Sequence, residues 1–189
     1  MIAEPIKQEL SRIATHPVRW DCPLAPFTSF GIGGPADAVI MVESPKELAE
    51  LLDCFAKNSL RYRFIGKGTN LLVDDKGFEG VVLFFAQALA NINLLEELET
   101  GEGIIRVGGG CSLAKLLSWC IDNEFTGLEF VSGIPGSLGG AVVMNAGAYG
   151  GEMKDIVKYT TYIDAGGSIK TIDNTTHAFG YRSSMLQHK

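Results

Sequence analysis

The chain has 189 residues, 46% of them hydrophobic and 20% charged, a globular balance that excludes fibrous and disordered classes and is long enough to bury a core without staples. Its net charge of −6 excludes a duplex-binding surface, which needs a field of Lys and Arg to neutralise phosphates. Any phosphate ligand is therefore expected to be held locally, by backbone N–H groups.

In chain order, Ile2, Ile6, Leu10 and Ile13 recur at helical spacing and predict an amphipathic first helix. Residues 17–26 read as irregular, and Gly31, Gly33, Gly34 and Pro35 turn the chain into a strand over 37–42. Ser44, Pro45 and Glu47 predict a capping box, followed by a helix with Leu48, Leu51, Leu52 and Phe55 on its inner face. A short buried strand is expected at 62–65, running into Gly66, with further strands at 80–85, 92–97 and 103–107. Ser112 caps a second helix whose face is Leu113, Leu116, Leu117, Cys120 and Ile121, ending near Asn123. Val157, Tyr159, Thr161 and Ile163 alternate with polar neighbours, and a turn at 164–167 leads into 168–172, a hairpin signal. Short strands with a few helices between them predict an α+β fold.

Glycine is abundant, with 23 residues concentrated in a few loops. The first candidate loop is Gly66, Lys67, Gly68, Thr69, Asn70, Leu71, Leu72. Glycines one residue apart let N–H groups approach an anion, and Thr69 and Asn70 can add hydrogen bonds. The same residues suit a tight turn equally well. The spacing fits neither a P-loop nor a Rossmann fingerprint, so Lys67 is not a Walker lysine.

The second candidate runs from Gly133 through Ile134, Pro135, Gly136, Ser137, Leu138, Gly139, Gly140, Ala141 and on to Asn145, Ala146 and Gly147. Five glycines in fifteen residues, with no charge among them, favour main chain lying against a ligand over plain backbone packing. Ser137 is positioned to cap a short helix whose first N–H groups would face an anion. The third candidate is Phe179, Gly180, Tyr181, Arg182, Ser183, Ser184, where a guanidinium beside an aromatic ring suits a carboxylate or phosphate. Taken alone, Arg182 reads as a surface ion-pair residue.

The four cysteines form no CxxC pair and the three histidines are far apart, so no metal site is expected. His16, Cys111 and His177, the last placed on a short helix after Asp173, read as structural. Glu4, Lys7, Glu9, Arg12 and Arg19 break any apolar signal core, and no apolar run is long enough to span a bilayer. The expectation is a cytoplasmic protein with reduced thiols and neither nucleic-acid nor membrane partners.

Taken in order, these motifs resemble one family, the flavoenzyme UDP-N-acetylenolpyruvoylglucosamine reductases, which make UDP-N-acetylmuramate for bacterial peptidoglycan. The likeness begins at Thr28, Ser29, Phe30, Gly31, Ile32, Gly33, Gly34, Pro35, Ala36 and Asp37. It continues through 66–72, Gly127, Leu128, Glu129, Phe130 and 133–151, and ends at 179–184. Phe27 departs from it, since the family usually has asparagine before the threonine, which puts one local hydrogen bond in doubt.

The resemblance implies an FAD-binding fold of the vanillyl-alcohol oxidase and para-cresol methylhydroxylase type, with non-covalent FAD held between two subdomains. Residues 1–20 would lead in, 21–86 would form the first subdomain and 87–189 the second. Both glycine loops would contact the FAD diphosphate, through Gly66, Lys67, Gly68, Thr69, Asn70 and Leu71 and through Gly133, Pro135, Gly136, Ser137, Gly139, Gly140, Ala141, Asn145 and Gly147. NADPH would be the transient reductant, with hydride passing by way of the flavin to the enolpyruvyl double bond of a nucleotide-sugar substrate. Arg182 matches the family arginine against the substrate carboxylate and developing enolate, and Tyr181 would shape the same site. The family's C-terminal substrate domain, with its serine proton donor and glutamate, has no counterpart up to Lys189. This chain is therefore expected to bind FAD without full turnover. The alternative is a non-catalytic flavin or nucleotide module completed by a partner chain; a covalent flavin oxidase ranks last, because neither glycine loop holds a histidine.

Overall fold

The apolar spacing of the sequence is carried into strands and helices with few exceptions in the computed structural model, which describes residues 2–188 apart from the His188 side chain; Met1 and Lys189 lie outside the described residues. The chain divides into two compact units, one reaching to Ala88 and including Ile163–Ile169, the other comprising Leu89–Tyr162 and the residues from Lys170 onward. Among the described residues no helix is long and apolar enough to cross a membrane.

In the first unit, α1 (Glu4–Ile13) precedes β1 (Arg19–Pro23), β2 (Pro35–Val42), α2 (Pro45–Lys57), β3 (Tyr62–Phe64) and β4 (Phe78–Phe85). The strands form one sheet in the order β1-β2-β4-β3, in which β1 runs antiparallel to β2 and the other pairs are parallel. The central strands are apolar on both faces because both faces are covered: Ala38, Val39, Ile40, Val81, Val82 and Leu83 are all buried. Leu24, Ala36, Val39, Val82 and Phe84 cluster on one side. Helix α2 packs against β2 and α1 against α2. Leu51 and Phe55 of α2 and Leu10 of α1 are fully buried.

Three expectations are corrected here. The stretch read as irregular contains β1, whose Trp20 and Cys22 pair with Ala38 and Ala36. Flanking prolines and the charges of Arg19 and Asp21 hid it, yet both are tolerated on an edge strand. The strand beginning at Tyr62 is also an edge strand rather than a buried one, with Phe64 42% exposed. Finally, Ser44 Oγ accepts from Glu47 N as a cap should, but the buried Glu47 carboxylate does not close the box. It accepts instead from Glu43 N (2.7 Å) and Thr15 N (2.8 Å), tying the segment after α1 to the start of α2.

The second unit contains β5 (Ile92–Glu97) and β6 (Gly103–Val107) as an antiparallel pair, then α3 (Leu113–Asp122) and α4 (Leu138–Val143). A two-residue hairpin, β7 (Gly147–Ala148) and β8 (Gly151–Glu152), follows, then the ribbon of β9 (Tyr159–Ile163) and β10 (Ile169–Asp173). Its core joins Leu113 of α3 to Phe130, Val131, Ala141, Val142 and Met153, and Leu116 and Cys120 to Cys111. Ser112 caps α3 through Lys115 N (3.2 Å), as its sequence position predicts. Ile121, expected on the inner face, is 66% exposed, because at about 100° per residue it sits at the far margin of the arc centred between Leu113 and Cys120. His177 lies on a single hydrogen-bonded turn closed by Asp173 rather than on a helix.

Candidate functional site

In the first unit, Ile65 N extends the β3 ladder to Leu83 O (2.9 Å) and delivers the chain to Gly66. Gly68 adopts φ +63, and a Cβ there would stand 1.9 Å from the Phe27 carbonyl oxygen. Ser29 N donates to Gly68 O (3.0 Å), so the loop is seated on residues 27–29. Packing alone therefore requires glycine at 68. The same seating leaves the N–H groups of Lys67, Gly68 and Asn70 without a protein acceptor among the described residues. Gly66, Lys67 and Asn70 are exposed, and Thr69 and Leu71 are half-buried.

The second loop is organised differently. Ser137 caps α4 through Gly140 N (3.4 Å), but the other N–H groups of its first turn are already used. Leu138 N donates to Cys111 O (2.7 Å) and Gly139 N to Gly109 O (2.8 Å), so this turn is laid on the 108–111 segment. The expectation that the start of α4 faces an anion is corrected: those donors are bonded within the protein. Gly139 is explained by backbone packing, its Cβ position being 3.0 Å from Gly109 O, and so is Gly147, at 2.5 Å from Gly151 O. What stays open lies just before the helix. The N–H groups of Gly136 (φ +157) and Ser137 have no protein acceptor among the described residues, and Gly133 (φ +78) and Pro135 are exposed. Gly140 is exposed and Ala141 buried.

The third motif forms a tight turn closed by Gly180 N to Ser183 O (3.0 Å) and Ser183 N to Gly180 O (3.2 Å). Tyr181, 91% exposed, and Arg182 occupy its corners. Arg182 sits at φ +52, a left-handed conformation that favours glycine and costs a side chain about 1–2 kcal/mol. Its guanidinium lies 5.6 Å from the Tyr181 ring centroid, and both Nη atoms stand 3.5 Å from the Gly147 carbonyl oxygen. Those contacts are at the outer limit of hydrogen bonding. Among the described residues no carboxylate pairs with Arg182, so the ion-pair reading does not account for it. A lightly held, pre-aimed guanidinium is suited to receive an anion.

Several residues support these motifs in roles that were not assigned from the sequence. Gln187 Nε2 holds the Arg182 carbonyl (2.9 Å) and Ser184 Oγ donates to Val143 O (2.8 Å). Glu129 closes the 127–129 turn by accepting from Gly127 N at 2.9 and 3.0 Å, and main-chain N–H groups hold its carboxyl below the usual range. Tyr149 is 88% exposed at φ +54 on the β7–β8 tip, followed by Gly150 at φ +88. Its sequence signal was a non-glycine paired with glycine where a two-residue hairpin must turn. Asn145, expected among cofactor-binding residues, is 2% exposed and its amide is committed within the protein.

The FAD binding domain family matches residues 36–173. The chain belongs to that family. It is 41% identical over 179 residues to the UDP-N-acetylenolpyruvoylglucosamine reductase of Syntrophus aciditrophicus, covering 94% of this chain and 56% of that protein. The chain thus spans a little over half the length of such curated relatives. The crystal structure of UDP-N-acetylenolpyruvylglucosamine reductase from Thermus caldophilus superposes with a TM-score of 0.67 at 31% identity, over 89% of this chain and 56% of that one. A VAO-type flavoprotein from Myceliophthora thermophila shares the fold at a TM-score of 0.56 and 13% identity, over 74% of this chain and 26% of its own. The α+β architecture of this FAD binding domain is accordingly of the vanillyl-alcohol oxidase type. The residues fit the group that gives the family its name. A diphosphate on an acidic protein needs uncharged donors, and open main-chain N–H groups in glycine loops are such donors.

Proposed function

We propose that this chain is the FAD-binding part of an NADPH-dependent reductase that converts UDP-N-acetylglucosamine enolpyruvate to UDP-N-acetylmuramate in peptidoglycan synthesis, in the bacterial cytoplasm. Residues 1–20 lead in, and 21–86 and 87–189 are the two cofactor-binding subdomains. FAD, when bound, supplies hydride-transfer chemistry, with NADPH as the reductant.

The chain's own residues divide the work. Lys67, Gly68 and Asn70 offer N–H groups to the diphosphate from one loop, with Gly66, Thr69 and Leu71 shaping it. Gly136 and Ser137 offer theirs from the other, where exposed Gly133, Pro135 and Gly140 leave the main chain uncovered and Gly139, Ala141 and Gly147 pack beneath it. Arg182 holds the substrate carboxylate and the enolate charge that develops when hydride arrives. A guanidinium does this without giving up its own proton. Tyr181, beside it, shapes the site.

The observation that carries this reading is the Arg182 turn: an exposed guanidinium, left-handed at φ +52 and without a carboxylate partner among the described residues, in a chain of the FAD binding domain family. Titrating the purified chain with FAD and following flavin fluorescence tests the cofactor. Saturable quenching near one equivalent is expected, and unquenched fluorescence at micromolar chain would sink the proposal. Mixing the FAD-loaded chain with a separately expressed substrate domain of a relative tests the reaction. NADPH consumption that depends on the enolpyruvyl substrate is the expected result.

A further inference from the structure

Besides Glu124 just past the end of α3, four side-chain-bearing residues of the second unit hold left-handed conformations: Asn145 (φ +42), Tyr149 (φ +54), Ala178 (φ +46) and Arg182 (φ +52). Such conformations persist only where surrounding structure over-determines them. The buried amide of Asn145 bonds to the segments that carry two of the others. Asn145 Nδ2 donates to the Gly180 carbonyl (3.0 Å), the first residue of the Arg182 turn. It also donates to the Glu152 carboxylate, while Asn145 Oδ1 accepts from Lys154 N (2.9 Å). Glu152 in turn pairs with Gly147 in the hairpin whose tip is Tyr149, and the Gly147 carbonyl is the one that faces Arg182.

Both amide protons of Asn145 are thus spent, one on each turn. We propose that Asn145 is a positioning residue: its amide joins the turn presenting Arg182 to the hairpin presenting Tyr149, and so fixes the backbone from which the guanidinium extends before a carboxylate arrives. The proposal rests on the reading of Arg182 given above. It explains why an asparagine fully enclosed by protein sits within a glycine-rich stretch. Only an amide can donate twice and accept once at a left-handed backbone position that asparagine tolerates.

The test is Asn145→Gly in the FAD-loaded chain, which removes the amide without adding backbone strain. Hydrogen exchange at the Gly180 and Ser183 amides is expected to accelerate about tenfold, with the Cys120 amide of α3 unchanged. The Arg182 Cα and Cβ chemical shifts and its HN–Hα coupling, which report φ, should move away from their left-handed values. Asn145→Asp keeps the acceptor for Lys154 N but cannot donate to Gly180, and should loosen the same two amides if the glycine variant does not fold. Unchanged protection at Gly180 and Ser183, or equal acceleration at Cys120, overturns the proposal. So does a loosened turn with unchanged kcat in the mixture completed by a substrate domain. An Arg182→Lys variant with unchanged kcat overturns the underlying reading instead, and leaves the exchange result standing.

Discussion

The glycine loops and the arginine segment solve the same backbone problem in opposite ways. At Gly68, Gly133 and Gly136 the chain takes positive φ with glycine, the residue for which it costs least. At Asn145, Tyr149, Ala178 and Arg182 it takes positive φ with side chains in place, and side-chain bonds hold Asn145 and Arg182. Elsewhere, Ser59 and Glu124 owe their left-handed φ to the ends of α2 and α3 that they follow, and Asp21 is left-handed within the edge strand β1. The contrast teaches that main chain is what the loops need exposed, whereas in the arginine segment the side chains themselves are wanted.

If the loops exist to expose main chain over a tightly seated base, the largest effect should come from adding a Cβ where the base is. Gly68→Ala puts a methyl 1.9 Å from the Phe27 oxygen at φ +63. A destabilisation of roughly 2–5 kcal/mol is expected from left-handed strain plus overpacking, read as a fall in the urea midpoint of the first unit. A variant as stable as the parent would show that the loop is loosely seated. Next in size is Arg182→Lys. One ammonium cannot reproduce the planar fork, so turnover in the completed mixture should fall on the order of 100-fold with FAD affinity unchanged. Loss of FAD instead would place the residue in the wrong site.

Helix and strand positions were legible because apolar spacing and caps are local: Ser44, Ser112 and Ser137 all cap as their positions predict. The failures share a cause. Whether 62–65 was buried depended on sheet order, and whether the Glu47 carboxylate would return to its own cap depended on Glu43 and Thr15, one of them 32 residues away. The sequence likewise favoured a ligand over backbone packing for the second glycine loop, and did not reveal that Gly109 and Cys111 take the donors at the start of α4. For Arg182, residue type and order pointed to the motif. Its left-handed φ and its anchors at Asn145 and Gln187 exist only in the folded chain.

The smallest expected effect concerns His177, whose main chain holds Met185 just after the arginine segment. His177 is fully buried, its ring stacked on Phe179 at 4.4 Å and bonded through Nε2 to Thr160 Oγ1 (2.8 Å), and its carbonyl receives Met185 N (2.9 Å). Nδ1 has no hydrogen-bond partner among the described residues, so a protonated ring would bury a charged N–H with nothing to accept it. Burial accordingly lowers the His177 pKa below the ordinary 6.5, with the Asp173 carboxylate opposing. With a folded pKa below the unfolded one, the unfolded chain binds the proton first as pH falls. The contribution of a neutral His177 is therefore complete above pH 6.5 and is lost as pH falls from there through the depressed folded value. Thermal melts across this range should show a pH slope that flattens in His177→Gln, which keeps a donor for Thr160 but does not titrate. The glycine loops contain no group that titrates there, so FAD binding should stay flat over the same range while the arginine segment loosens. A slope unchanged by His177→Gln would assign the acid sensitivity to carboxylates instead, and would remove this pH-dependent difference between the two regions.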